Sequence, residues 1–288
     1  MSEKRERSMG DLPAMPSYGV YLAAMFSHTL TMMARRRRIV LAVLATFAPV
    51  AVPLLLAFLS SSRFAPDGNE TFVRLTEHLY LQAMAPLLAL FFGSMLIGED
   101  VELQTIPYLL TRPMPRSAVV LGRFGAYVVV TSAVLLVAMA LVYAACTSLG
   151  GFEFTRASAL LLVHYHAVGL AAVVAYGAVA LCLGALTKRP IIYGVIFMFG
   201  WQRIVLLVPG VVDFLTIEKY LQELLPKLAT ERESEVVRTV LGEFQKEQIL
   251  VGAPKALLAL AVTVIVLLAA TCYIVRHREY SRARAVGA

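Results

Sequence analysis

The chain has 288 residues, of which 59% are hydrophobic and 16% charged, with a formal net charge of +7 and a mean hydropathy of +0.74. So apolar a sequence cannot clothe one water-facing core, which excludes a soluble domain and points to a polytopic membrane protein. The positive charge sits beside the apolar runs, as membrane topology requires, and no nucleic-acid partner is expected.

Residues 1–38 form a charged, Pro-containing leader followed by an amphipathic stretch. The apolar core of a secretory signal lies near the chain start, so this leader does not read as a cleavable signal. In Tyr18–Met33 the side chains of Tyr21, Leu22, Met25, Phe26, Met32 and Met33 share a face at helical spacing, with Ser27, His28 and Thr31 opposite. Such a helix lies in the headgroup plane ahead of the basic cluster Arg35–Arg38, or else extends the first span.

The rest of the chain, 39–288, is expected to be a transmembrane domain. Its spans are Ile39–Ser60, Leu79–Ile97, Val119–Cys146, Ala159–Leu186, Pro190–Leu207 and Ala256–Ile274, since about 20 apolar residues cross a bilayer as a helix. Of the 26 basic residues, 16 fall on one side of this arrangement, including Arg112, Arg116, Arg123, Lys188, Arg189, Arg276 and Arg278. The opposite short loops hold only Arg63, Arg74 and Arg156. Both termini and the loops 98–117 and 188–189 are therefore expected to be cytoplasmic, with basic side chains against lipid headgroups.

Loop 61–78 lies outside and carries the sequon Asn69-Glu70-Thr71, which matters only in a host that glycosylates it. Segment 209–255 is also outside. Phe214, Ile217, Leu221, Leu224, Leu225 and Leu228 recur at three- and four-residue steps, and Val236, Val237, Val240, Leu241 and Phe244 do so again. Two short amphipathic helices are expected there, over the outer mouth or on the membrane.

Few residues suggest chemistry. No GxxxxGK[ST] loop occurs, so the chain is not expected to hydrolyse ATP itself or to be an enzyme. Cys146, Cys182 and Cys272 have no metal-ligand spacing and read as small packing residues. His164 and His166 stand two residues apart on a helix, which turns their rings to opposite faces and disfavours a shared metal. Arg203 lies roughly 20 Å into the fifth span at 1.5 Å per residue. It either snorkels to the outer headgroups beside Trp201 or lines a pathway for an anionic cargo. Gln202, Trp201, Tyr176 and Gln82 are further pathway candidates. In the fourth span Ala167, Ala171, Ala175, Ala180 and Gly184 form a stripe of small residues, suited to packing within the chain or to a dimer seam.

The segment between the second and third spans carries the sharpest signal. It reads Glu99-Asp100-Val-Glu102-Leu-Gln104-Thr105-Ile106, then Leu109-Leu110-Thr111-Arg112-Pro113, Arg116 and Leu121-Gly122-Arg123. This resembles the first cytoplasmic loop of type-2 ABC exporter permeases, with their pattern E-x-E-x-G-T-L, L-L, Ser/Thr, Pro, a basic residue and L-G-K. Gln104 stands in place of the usual Gly and Asp100 in place of a Glu, and Pro107 is an insertion.

The resemblance implies an all-α integral membrane fold. It has six transmembrane helices, an N-terminal interfacial helix, a cytoplasmic coupling helix after span 2 and extracytoplasmic helices between spans 5 and 6. It implies a coupling loop seated on a separate ATPase subunit, with Glu99, Asp100, Glu102, Thr105, Leu109, Leu110, Arg112 and Arg116 as docking residues. Acids at the start and bases at the end of a short helix complement its dipole. Two ATPase copies, a second permease copy or a paralogue, and a place in the bacterial inner membrane follow from the same resemblance. ATP and Mg would be held by the partner, with no cofactor on this chain. A non-transporting scaffold that binds partners through 209–255 is the alternative. A secondary transporter fits less well, because the spans offer neither intramembrane acids nor broken-helix symmetry.

Overall fold

The computed structural model describes residues 16–34, 37–59, 67–97, 114–149, 155–187, 189–207, 214, 216–225, 236–239, 242–245 and 252–277. The elements are α1 (Tyr18–Ala34), α2 (Arg37–Phe47), α3 (Ala51–Leu59), α4 (Gly68–Ile97), α5 (Arg116–Cys146), α6 (Arg156–Leu186), α7 (Pro190–Val195), α8 (Gln202–Leu207), α9 (Ile217–Leu224), strands β1 (Val236–Thr239) and β2 (Gly242–Gln245), and α10 (Ala253–His277). Among the described residues, five helical stretches are long and apolar enough to cross a membrane: Ala42–Leu59, Gly68–Ile97, Arg116–Cys146, Ser158–Leu186 and Ala253–His277. The chain is an integral membrane protein.

The fifth expected span, Pro190–Leu207, is one continuous helical run through α7, wide turns at Ile196–Trp201, and α8. Only its Pro190–Trp201 portion stands out as a shorter apolar helix. The second span is longer than expected, because α4 begins at Gly68, where the Asp67 side chain caps the amides of Asn69 and Glu70. This is the anionic cap that unpaired first-turn N–H groups favour.

Pro residues shape two of the helices. Pro49 tightens the joint between α2 and α3 into a 3-10 turn at Ala48–Val50. Pro86 lies in α4, where its ring would collide with the carbonyl of Gln82 in a regular α-helix. The turns just before it, Leu75–Met84, are widened to the π form, which accommodates the missing donor.

α4 and α6 are the most enclosed helices and α10 the most exposed. The core runs through Tyr80, Leu88, Leu96, Tyr127, Leu135, Met139, Tyr165, Tyr176 and Leu181. α1 packs along α5 through Met25, Thr29 and Met33, a one-residue-per-turn stripe. Ser27, His28 and Thr31 face outward, as the spacing predicts. Gly122 permits this contact, since a Cβ there would lie 2.8 Å from the Leu22 carbonyl oxygen.

The small-residue stripe of α6 splits between surroundings. Ala175, Ala180 and Gly184 are buried inside the chain, whereas Ala167 is exposed. A Cβ on Gly93 of α4 would meet the Ala180 Cβ at 2.9 Å, so the lower stripe serves packing of α4 on α6.

The outer segment differs from expectation. Its first periodic run does form a helix, α9, which packs on α6 and α10. Its second run is not a helix. β1 and β2 pair antiparallel, with Val236 opposite Gln245, Val237 opposite Phe244, Arg238 opposite Glu243 and Thr239 opposite Gly242. Adjacent β-branched Val236 and Val237 favour extended backbone, Gly242 disfavours helix, and the facing residue types suit cross-strand pairing. A short apolar run with three- and four-residue repeats does not distinguish these outcomes.

Candidate functional site

The expected docking residues Glu99, Asp100, Glu102, Thr105, Leu109, Leu110 and Arg112 lie outside the described residues. What the structure places is the frame around them. The loop 98–113 leaves α4 after Ile97 and enters α5 at Arg116. Arg123, only 3% exposed, donates from Nη1 to the Leu96 carbonyl oxygen. One α5 side chain is thus fixed to the last turn of α4, next to the point where the loop departs. Those last carbonyls have no intrahelical donors, so a guanidinium there satisfies them and suits the negative end of the helix dipole.

Arg116 makes the equivalent bond to a different helix. Its Nη1 donates to the Val275 carbonyl oxygen at 3.2 Å and to that of Arg276, at the C-terminus of α10. Tyr18 of α1 donates to Ser117 Oγ at 3.2 Å. Four helices therefore meet at the root of the loop: α1, α4, α5 and α10.

A second feature is a line of buried polar groups on one face of α6. Tyr165 donates to Glu77 Oε1 of α4 at 2.8 Å, and Tyr176 donates to Gln202 Oε1 of α8 at 2.9 Å. Eleven residues at 100° each bring Tyr165 and Tyr176 back to the same face, about 16 Å apart. Gln202 is 2% exposed, and its Nε2 is enclosed without a partner. Thr76 Oγ1 and His166 Nδ1 are likewise enclosed and unpartnered. Buried polar atoms without a partner among the described residues are uncommon and costly.

The expected pathway residues sort as follows. Tyr176 and Gln202 come together. Trp201 turns outward, 40% exposed, although it adjoins the buried Gln202. Gln82 stays on its own helix, its Oε1 3.4 Å from His78 Nδ1. Arg203 belongs to α8, but its side chain lies outside the described residues. His164 and His166 do face different surroundings: His164 Nε2 reaches the Leu224 carbonyl at 2.8 Å, which fixes the end of α9 onto α6.

Sequence reasoning missed Glu77, Thr76 and the structural role of Arg123. Glu77 falls two residues before the expected start of its span, and the Asp67 cap, which lengthens α4, makes it a half-buried acid within the helix. Arg123 had a visible signal, an arginine seven residues into α5 among apolar neighbours. The wide turns at Ile196–Trp201 had none, and they shift which residues of the following helix face inward.

A family model described as an ABC-2 family transporter protein matches residues 32–201, more than half of the 288 residues. The chain belongs to this family and is a membrane permease component of an ABC transporter. Membership implies partnership with an ABC ATPase subunit. A search of curated proteins found no match.

Proposed function

We propose that the chain is the membrane half of an ABC exporter, with a coupling helix inside the 98–117 loop, ahead of α5, seated on a separate ATPase subunit. The observation that carries this reading is the frame at the loop root. Arg123 holds the departure point of the loop on α4, while Arg116 holds its return point against α10. A displacement of the loop is then delivered to α4, α5 and α10 together and not absorbed by one hinge. ATP-driven closure of two ATPase copies beneath a pair of permeases would rock the halves and shift an inward-facing population outward.

In this reading Pro190–Leu207 is a span, the fifth of six, both termini are cytoplasmic in a bacterial inner membrane, and α1 lies at the cytoplasmic interface. α9 and the β1–β2 hairpin sit outside. Tyr176, Gln202, Thr76 and His166 line the cargo route, with Arg203 toward its outer end, which favours a cargo bearing hydrogen-bond acceptors or negative charge.

The test is charge reversal at Glu99 and Glu102. The Glu99→Lys, Glu102→Lys variant should insert normally yet lose its ATPase partner and all transport-linked ATP hydrolysis. A variant that still holds the ATPase at wild-type stoichiometry contradicts the docking role. Retention of extracytoplasmic partners alone would favour a scaffold built on 209–255.

A further inference from the structure

Where α5 begins beside the end of α10, a half-open cleft of about 740 Å³ is lined by Arg116, Ser117, Cys272, Tyr273, Arg276 and His277. Its composition is lopsided. Two arginines, a histidine and a hydroxyl line it together with Cys272 and the Tyr273 ring, and no carboxylate is among the described lining residues. Tyr273 is 65% exposed, on a helix long and apolar enough to cross a membrane. We propose that this cleft binds the phosphate-bearing headgroup of an anionic membrane lipid, with the lipid chain running along Tyr273.

The geometry supports an anion in particular. A helix C-terminus ordinarily repels negative charge, because its last carbonyls are unpaired. Here Arg116 occupies the carbonyls of Val275 and Arg276 through Nη1 alone. A guanidinium has five N–H donors, so the Nε and Nη2 hydrogens remain for the planar, two-point grip that phosphate oxygens accept. His277 stacks on Tyr273 with ring centroids 4.1 Å apart. Its Nδ1 donates to the Tyr273 carbonyl at 3.0 Å, which orients the ring and leaves Nε2 for another partner. Arg276 is exposed and its side chain is not needed for the helix. Basic pockets between spans at a membrane face are suited to anionic headgroups.

A lipid bound there would bridge α5 and α10 one turn from the loop root, with α1 attached to the same rim through Tyr18 and Ser117. The proposal rests on the membrane-spanning character of the chain and not on ATPase docking, so either can fail alone.

The test is native mass spectrometry of the delipidated full chain, titrated with phosphatidylglycerol, with phosphatidylcholine of the same acyl chains, and with inorganic phosphate. Wild type should retain phosphatidylglycerol in preference to phosphatidylcholine. One basic group near a membrane surface accounts for about fivefold in affinity. Arg276→Ala should therefore weaken phosphatidylglycerol about fivefold and leave phosphatidylcholine unchanged. Arg276→Glu should abolish the preference. Arg156→Ala, at the start of α6 and outside the cleft, should leave it intact. Equal retention of both lipids by wild type, or an Arg276→Glu variant with undiminished preference, overturns the site. Inorganic phosphate that binds at the same concentration as phosphatidylglycerol would assign the cleft to a soluble anion and overturn the lipid.

Discussion

Gly177 of α6 is the position where one added methyl group tests the packing most sharply. A Cβ there would stand 2.2 Å from Tyr127 Cε1, 2.7 Å from Cζ and 2.8 Å from the hydroxyl. Carbon atoms in contact sit about 3.5 to 4.0 Å apart, so the ring must retreat by more than about 1 Å. It has nowhere to go. Tyr127 is fully buried, stacks on Phe124 at 5.9 Å between centroids, and donates to the Val173 carbonyl at 3.0 Å. Overpacking of this kind costs about 1–3 kcal/mol, and loss of the hydrogen bond adds about 1 kcal/mol. Alanine recovers up to about 1 kcal/mol of helix propensity.

Gly177→Ala should therefore destabilise by about 1–3 kcal/mol, read as a lowered midpoint in denaturant-detergent unfolding. Gly194→Ala is the graded comparison: its Cβ would meet Leu90 Cδ2 at 2.1 Å, the far end of a flexible side chain, so the cost should be smaller. Gly125→Ala, whose nearest neighbour is Phe26 Cδ2 at 3.6 Å, should be neutral or slightly stabilising. Gly177→Ala and Gly125→Ala variants of equal stability would refute the α5–α6 packing described here.

Other outcomes follow from the same contacts. Tyr176→Phe and Gln202→Leu in a double-mutant cycle should show coupling of about 0.5–1.5 kcal/mol, the range for hydrogen bonds between spans; additive effects would separate the pair. Gln202→Leu removes an orphaned donor but strands the buried Tyr176 hydroxyl, so it should destabilise by about 1–2 kcal/mol and depress cargo-stimulated ATP hydrolysis; unchanged stimulation would take Gln202 out of the route. Arg203→Leu should reduce transport of an anionic cargo, and wild-type transport and stimulation would leave Arg203 to the headgroups. Asp67→Ala should cost about 1 kcal/mol through the lost α4 cap, measured by the same unfolding assay.

Five of the expected spans were legible because each is a long apolar run, and bilayer thickness leaves little choice of length. The amphipathic face of α1 was legible for a related reason: one stripe of side chains fits α5 and the opposite stripe is polar. Tyr176 and Gln202 could be singled out as polar groups in apolar runs, but their meeting could not be foreseen. It depends on wide turns at Ile196–Trp201, which no period of 3.6 anticipates.

The β1–β2 hairpin was misread as helix because five apolar residues within nine positions satisfy either pattern. In such a short run β-branching and a glycine outweigh periodicity. Glu77 was hidden by the span boundary: hydropathy ends the span near Leu79, whereas the Asp67 cap starts the helix eleven residues earlier. The bond from Arg116 to α10 had no sequence signal, because it depends on a helix C-terminus that the fold brings beside α5.

The most direct test of the central claim is gentle purification of the tagged chain from its native membrane, with every co-purifying protein identified and quantified. The account predicts an ATPase subunit bearing a P-loop, stoichiometric with the permease and absent from the Glu99→Lys, Glu102→Lys preparation. A permease that purifies without any such ATPase, or that keeps it after both reversals, contradicts the account.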